Sequence, residues 1–137
     1  AVLVEPIRAT HGDVYFDKTL LQQIDKFCHD NNIIFIVDEV QTGMGATGTW
    51  WYHEQLGITP DIIVFGKKTQ LSGIMANERA SAIFKQKEKK LEVTWDANLI
   101  DMIRCKHILK AYEDHMILEN VNPLIYQLVY LHLQEML

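Results

Sequence analysis

The sequence predicts an α/β fold, a mostly parallel sheet with flanking helices. Ile33-Ile34-Phe35-Ile36-Val37 and Ile62-Ile63-Val64-Phe65 are short, uniformly apolar and rich in β-branched residues, the pattern of parallel strands covered on both faces. Segments with apolar residues at helical spacing lie between and beyond them, so strands and helices alternate, as in a sheet built by right-handed crossovers.

Val2-Leu3-Val4 reads as the first strand, ended by Glu5-Pro6 because a residue before proline avoids the helical region. Asp17 caps a helix that runs through Asp30, with Leu20, Leu21, Ile24 and Phe27 as its apolar face and Asn31-Asn32 as its stop. Ile33 to Val37 is the second strand. Gly43, Gly45 and Gly48 mark a flexible loop, and His53 to Leu56 forms a short helix ending at Gly57. Asp61 to Gly66 is the third strand and Leu71 to Ala76 a short fourth, followed by helices over Ala80–Lys90, Asn98–Asp114 and Val121–Leu137. The chain starts in a strand without Met and stops inside an amphipathic helix. We therefore expect a piece of a longer protein, incomplete at both ends, whose strands need further lateral neighbours.

At 137 residues, 48% of them hydrophobic, the chain can bury one core. A net charge of −5 and dispersed basic residues suggest no nucleic-acid or membrane-surface partner. The apolar runs are far shorter than the ~20 residues of a membrane span. Cys28 and Cys105 lack a CxxC spacing and read as small buried hydrophobes in a reducing cytoplasm, with no metal site implied.

The chemistry lies at two strand ends. Asp38 closes the second strand, and Lys67 follows Ile62-Ile63-Val64-Phe65-Gly66. A carboxylate and an amine thus come to the same end of one sheet. The amine can form a Schiff base with an aldehyde cofactor, and the carboxylate can hold a pyridine nitrogen protonated so that the ring withdraws electrons. This is the division of labour of pyridoxal phosphate chemistry. A pyridinium ~4 Å from Asp38 would be worth roughly 4 kcal/mol at an effective dielectric near 20, enough to keep the acid ionised against burial.

The surrounding strings carry a resemblance. Val4-Glu5-Pro6-Ile7, Val37-Asp38-Glu39-Val40-Gln41-Thr42-Gly43 and Pro60-Asp61-Ile62-Ile63-Val64-Phe65-Gly66-Lys67-Lys68-Thr69-Gln70 resemble class III, pyridoxal 5′-phosphate-dependent aminotransferases. The Phe-Gly-Lys-Lys-Thr-Gln string is most similar to lysine 6-aminotransferases. The resemblance implies part of the large domain of a fold-type I transferase over residues 1–113, with 114–137 leading toward a small C-terminal domain. It implies transfer of an ω-amino group to a 2-oxo acid such as 2-oxoglutarate, in a homodimer with a shared active site. Lys67 would carry the cofactor and move the proton, Asp38 would hold the ring nitrogen, Gln41 would face the phenolic oxygen and Val40 the ring face. Lys68 would be a structural neighbour. Thr94 would reach the phosphate of the partner's cofactor, and Glu5 would orient the substrate side. Glu39 reads as a surface or subunit-contact residue at least as readily as a catalytic one.

Two places depart from the pattern. Thr10 stands where these aminotransferases carry a glutamate that pairs with a switching arginine, and Asp96-Ala97 replaces a glycine pair after Thr94-Trp95. The phosphate cradle, the stacking aromatic residue and the substrate arginines are implied to lie before Ala1 and after Leu137, so this polypeptide alone should not turn over. Two alternatives stand beside this reading. One is a non-catalytic relative kept as a dimer or binding module, favoured by Thr10 and Asp96-Ala97. The other is an ATPase with a Walker B strand at Ile33 to Glu39, for which no G-x-x-x-x-G-K-[ST] is present.

Overall fold

A computed structural model of the chain describes residues 1–85, 98–120 and 124. Its main sheet has four strands, β1 (Val2–Val4), β4 (Phe35–Asp38), β5 (Ile62–Phe65) and β6 (Gly73–Ala76), in the order β1-β4-β5-β6. The first three run parallel, with Val4 opposite Val37 and Asp38 opposite Val64, and β6 returns antiparallel with Gly73 opposite Phe65. The fold is therefore mixed α/β with a mostly parallel sheet. A separate antiparallel pair, β2 (Ile7–Arg8) and β3 (Val14–Tyr15), brackets a 3-10 turn over Ala9–His11 that carries Thr10.

Helix α1 (Lys18–Asp30) begins where Asp17 accepts the Leu20 N–H at 3.1 Å and ends at Asn31, whose side-chain amide donates to the Phe27 carbonyl. Such a cap is worth about 1 kcal/mol. Its buried stripe is Leu21 and Cys28 with Ile24 partly covered, packed on Phe35, Val37, Leu56 and Ile58. Leu20 and Phe27 are 44% and 57% exposed. The apolar face expected from the sequence is thus turned, because residues 21, 24 and 28 share one side of a 3.6-residue period and residues 20 and 27 flank it. Fully burying a side chain such as Leu21 contributes roughly 1.5–3 kcal/mol.

Helix α2 (Tyr52–Leu56) ends at Gly57, which takes the left-handed conformation (φ 65°). It is tied to α1 by Gln22 donating to the Leu56 carbonyl and Lys18 to that of Gln55. With α1 and α2 on one side, β4 is not equally covered on both faces as its composition suggests. Phe35 and Val37 are buried in the core, whereas Ile36 and Asp38 point to the other face and are half-buried.

Helix α3 (Glu78–Phe84) is capped by Asn77, which accepts from Ala80 N–H, and starts from a buried hub at Asp61. That carboxylate accepts from Phe35 N–H at 2.8 Å, from the Asn77 amide at 3.0 Å and from the Arg79 guanidinium at 2.9 Å, and Arg79 also donates to the Ile33 carbonyl. The hub locks the starts of β4 and β5 to α3. Helix α4 (Leu99–Asp114), capped by Asn98, docks on the glycine loop through the Tyr112 hydroxyl on the Met44 carbonyl and a Trp50–Tyr112 ring contact of 5.3 Å. Cys28 and Cys105 are free thiols, both buried. Among the described residues no helix is long and apolar enough to cross a membrane. The expected helix over Val121–Leu137 lies, except for Leu124, outside the described residues.

Candidate active site

The C-terminal ends of β1, β4 and β5 meet at one edge. Glu5 follows Val4, Asp38 ends β4 opposite Val64, and Lys67 lies two residues beyond Phe65. The placement follows from the strands being parallel and adjacent, so their last residues share an end of the sheet.

Asp38 is half-buried, and its Oδ1 accepts the Val40 N–H at 3.0 Å, a turn that starts the next segment. Among the described residues no donor reaches its other oxygen. Val40 and Gln41 are half-buried on that turn. Lys67 is exposed and has no hydrogen-bond partner among the described residues. Lys68, in contrast, is half-buried and donates its ammonium to the Gln41 carbonyl. Burial first, then the neighbouring Lys67 charge, lowers the Lys68 pKa from its usual value. The Thr69 hydroxyl lies within hydrogen-bond distance of the Gly66 and Leu71 carbonyls and donates its one proton to either, bracing the turn that holds the two lysines.

The structure therefore brings Glu5, Asp38, Val40, Gln41 and Lys67 to one edge. Thr94 and Asp96-Ala97 lie outside the described residues. Thr10 is exposed on its 3-10 turn.

Glu39, which the sequence suggests as a surface or subunit-contact residue, is instead a buried anchor. Its carboxylate is 1% exposed. Oε1 accepts from His53 N–H at 2.8 Å and His53 Nδ1 at 3.0 Å, while Oε2 accepts from Thr42 Oγ1 at 2.7 Å and Tyr52 N–H at 2.9 Å. Burial by itself would raise its pKa, but the hydrogen bonds from His53, Thr42 and Tyr52 outweigh it and hold the group below the usual carboxylate value. Glu39 is thus an internal cap for α2 and not a surface acid. The only hint in the sequence was its place one residue past a buried strand. The glycine loop differs from expectation for the same reason. Thr42, Gly43, Met44 and Gly45 are buried, held by Gly43 N–H on the Glu39 carbonyl and Met44 N–H on that of Trp50.

This donor set suits an aldehyde-bearing pyridine cofactor. Among the described residues, Asp38 offers a protonated ring nitrogen an oriented carboxylate with one oxygen unengaged, and Lys67 offers an amine without a partner.

Comparison with known proteins agrees. The family Aminotransferase class-III matches residues 1–136. The chain is similar to L-lysine-epsilon aminotransferase of Streptomyces clavuligerus, 37% identical over 122 residues that cover 87% of this chain and 27% of that protein. It is similar to 4-aminobutyrate aminotransferase of Schizosaccharomyces pombe at 33% over 123 residues, 88% and 25% of the two chains. Its structure is similar to lysine aminotransferase from Mycobacterium tuberculosis in the internal aldimine form, with a TM-score of 0.78, 38% identity and coverage of 85% and 28%. The chain thus spans about a quarter of the length of these relatives. None of the similarities supports the ATPase reading or that of a binding module without catalysis. The family depends on pyridoxal 5′-phosphate, and this chain belongs to the class III aminotransferases.

Proposed function

We propose that the protein carrying this chain transfers the terminal amine of an ω-amino donor of the lysine type to a 2-oxo acid such as 2-oxoglutarate. The observation that carries it is the delivery of Asp38 and Lys67 to one end of two paired parallel strands. The donor class rests on similarity, which is 37–40% to several L-lysine-epsilon aminotransferases and 30–34% to several 4-aminobutyrate aminotransferases.

Pyridoxal 5′-phosphate would supply an electron-withdrawing ring. Lys67 would hold its aldehyde carbon and then serve as the base that takes and returns the substrate proton. Asp38, fixed by the Val40 N–H, would keep the ring nitrogen protonated. Gln41 would donate an uncharged amide to the phenolic oxygen, and Val40 would pack on the ring. Glu5 would orient the substrate side. Thr94 would contact the phosphate held by a partner subunit in a homodimer, and the site would work in the cytoplasm. Residues 114–137 would lead toward a second, smaller domain.

The test uses the full-length protein, reconstituted with cofactor and given 2-oxoglutarate with L-lysine, ornithine or 4-aminobutyrate. Glutamate should form, fastest from lysine. No glutamate from any ω-amine would overturn the activity, and preference for another donor would overturn the donor class.

A further inference from the structure

We propose that Glu39 is a positioning residue that sets the site through the turn after β4, an inference that rests on the cofactor-binding reading above. Its four hydrogen bonds occupy both lone-pair positions of both oxygens. No position is left for a substrate or a proton in flight, so Glu39 acts by what it holds. It holds Thr42 at one end of the loop and Tyr52 and His53 at the other, while its own carbonyl takes the Gly43 N–H. Between Glu39 and the Thr42 it holds lie Val40, whose N–H meets Asp38 Oδ1, and Gln41, whose carbonyl receives the Lys68 ammonium next to Lys67. One buried carboxylate therefore fixes the ring-nitrogen partner and the lysine turn together.

His53 completes the anchor, with Nδ1 as donor and its side chain only 15% exposed. An Asn at this position can place an N–H at the same branch point, whereas Ala cannot. Glu39→Gln keeps the size of the side chain but sets an amide N–H against donors.

The experiment measures cofactor dissociation constants by visible absorbance on the full-length protein, with amide hydrogen exchange mapped by mass spectrometry. Glu39→Gln should raise the dissociation constant about ten- to a hundredfold, by analogy with the loss on removing a hydrogen-bond partner that orients a metal ligand. Exchange should quicken over residues 40–42 while α1 stays protected, separating a moved turn from general loosening. His53→Ala should show a smaller effect in the same direction, and His53→Asn should restore wild-type affinity. If Glu39→Gln does not fold, the His53 pair decides. Unchanged affinity and exchange in Glu39→Gln, or in His53→Ala where that pair decides, would overturn the proposal alone. Wild-type protein that binds no cofactor would overturn the reading of the site and this proposal with it.

Discussion

Lys68 donates its ammonium to the backbone carbonyl of Gln41, 27 residues earlier, while Lys67 beside it has no partner among the described residues. The pair Lys67-Lys68 is therefore split by structure, one amine spent on the fold and one left available. The split follows from the turn after β5, which half-buries Lys68 and exposes Lys67.

Lys67 should be the residue that takes the cofactor. Borohydride reduction of the reconstituted full-length protein, followed by peptide mapping, should place the pyridoxyl group on Lys67. Lys68→Met should still take label there, though with weaker binding because Gln41 loses its contact. Label on Lys68 in the wild type would show that the assignment is reversed.

Asp38→Asn should preserve the fold, since an amide oxygen can still accept the Val40 N–H. It should slow proton transfer by about 10²–10³, the cost of removing one well-placed electrostatic partner. Stopped-flow absorbance with amino donor reads the step directly, and near-normal rates would mean that Asp38 serves another group.

The Asp61 hub should set the acid limit of stability. Burial would raise its pKa, but Phe35 N–H, the Asn77 amide and Arg79 hold it below the ordinary value of 3.8. Because the folded-state pKa is the lower one, the unfolded chain binds the proton more readily. The stabilisation is complete well above pH 3.8 and fades as pH falls through the folded pKa. Arg79→Ala should cost about 3 kcal/mol at neutral pH, the low end for breaking a buried pair, because Arg79 is itself 26% exposed. Urea midpoints at several pH values provide the measure, and a loss below about 0.5 kcal/mol would place Arg79 among surface pairs.

Gly43→Ala should destabilise by about 1–3 kcal/mol through overpacking. An added Cβ would stand 2.6 Å from the Trp51 ring and 2.9 Å from the Glu39 carbonyl oxygen, whose hydrogen bond to Gly43 N–H leaves little room to move. Chemical denaturation gives the number, and an unchanged midpoint would show that the Trp51 ring swings away.

Where the sequence could be read, the signals were local. Asp17 and Asn31 announced the ends of α1, Gly57 that of α2, and two apolar runs placed Asp38 and Lys67 at strand ends. Glu39 and Asp61 were illegible as anchors because, Thr42 beside Glu39 apart, their partners lie 13–14 and 16–26 residues away, across turns that no periodicity encodes. Strands β2 and β3 have two residues each, too few to show an alternation. The turned face of α1 has a similar cause, since Leu20 and Phe27 satisfy helical spacing as well as Leu21 and Cys28, and only packing chooses between them.

The antiparallel return of β6 has a mechanical consequence for Lys67. The segment from Gly66 to Ser72 is closed at its mouth by Phe65 opposite Gly73 and braced from within by the Thr69 hydroxyl, which lies in reach of the Gly66 and Leu71 carbonyls. The backbone under Lys67 is thus held by its turn, and an amine acting there would travel by rotating its own four-carbon arm. Rotamer changes of an exposed side chain take picoseconds to nanoseconds, far shorter than a typical turnover of roughly 0.1 s. An amine mounted this way can leave one atom and arrive at another without the sheet taking part in the motion.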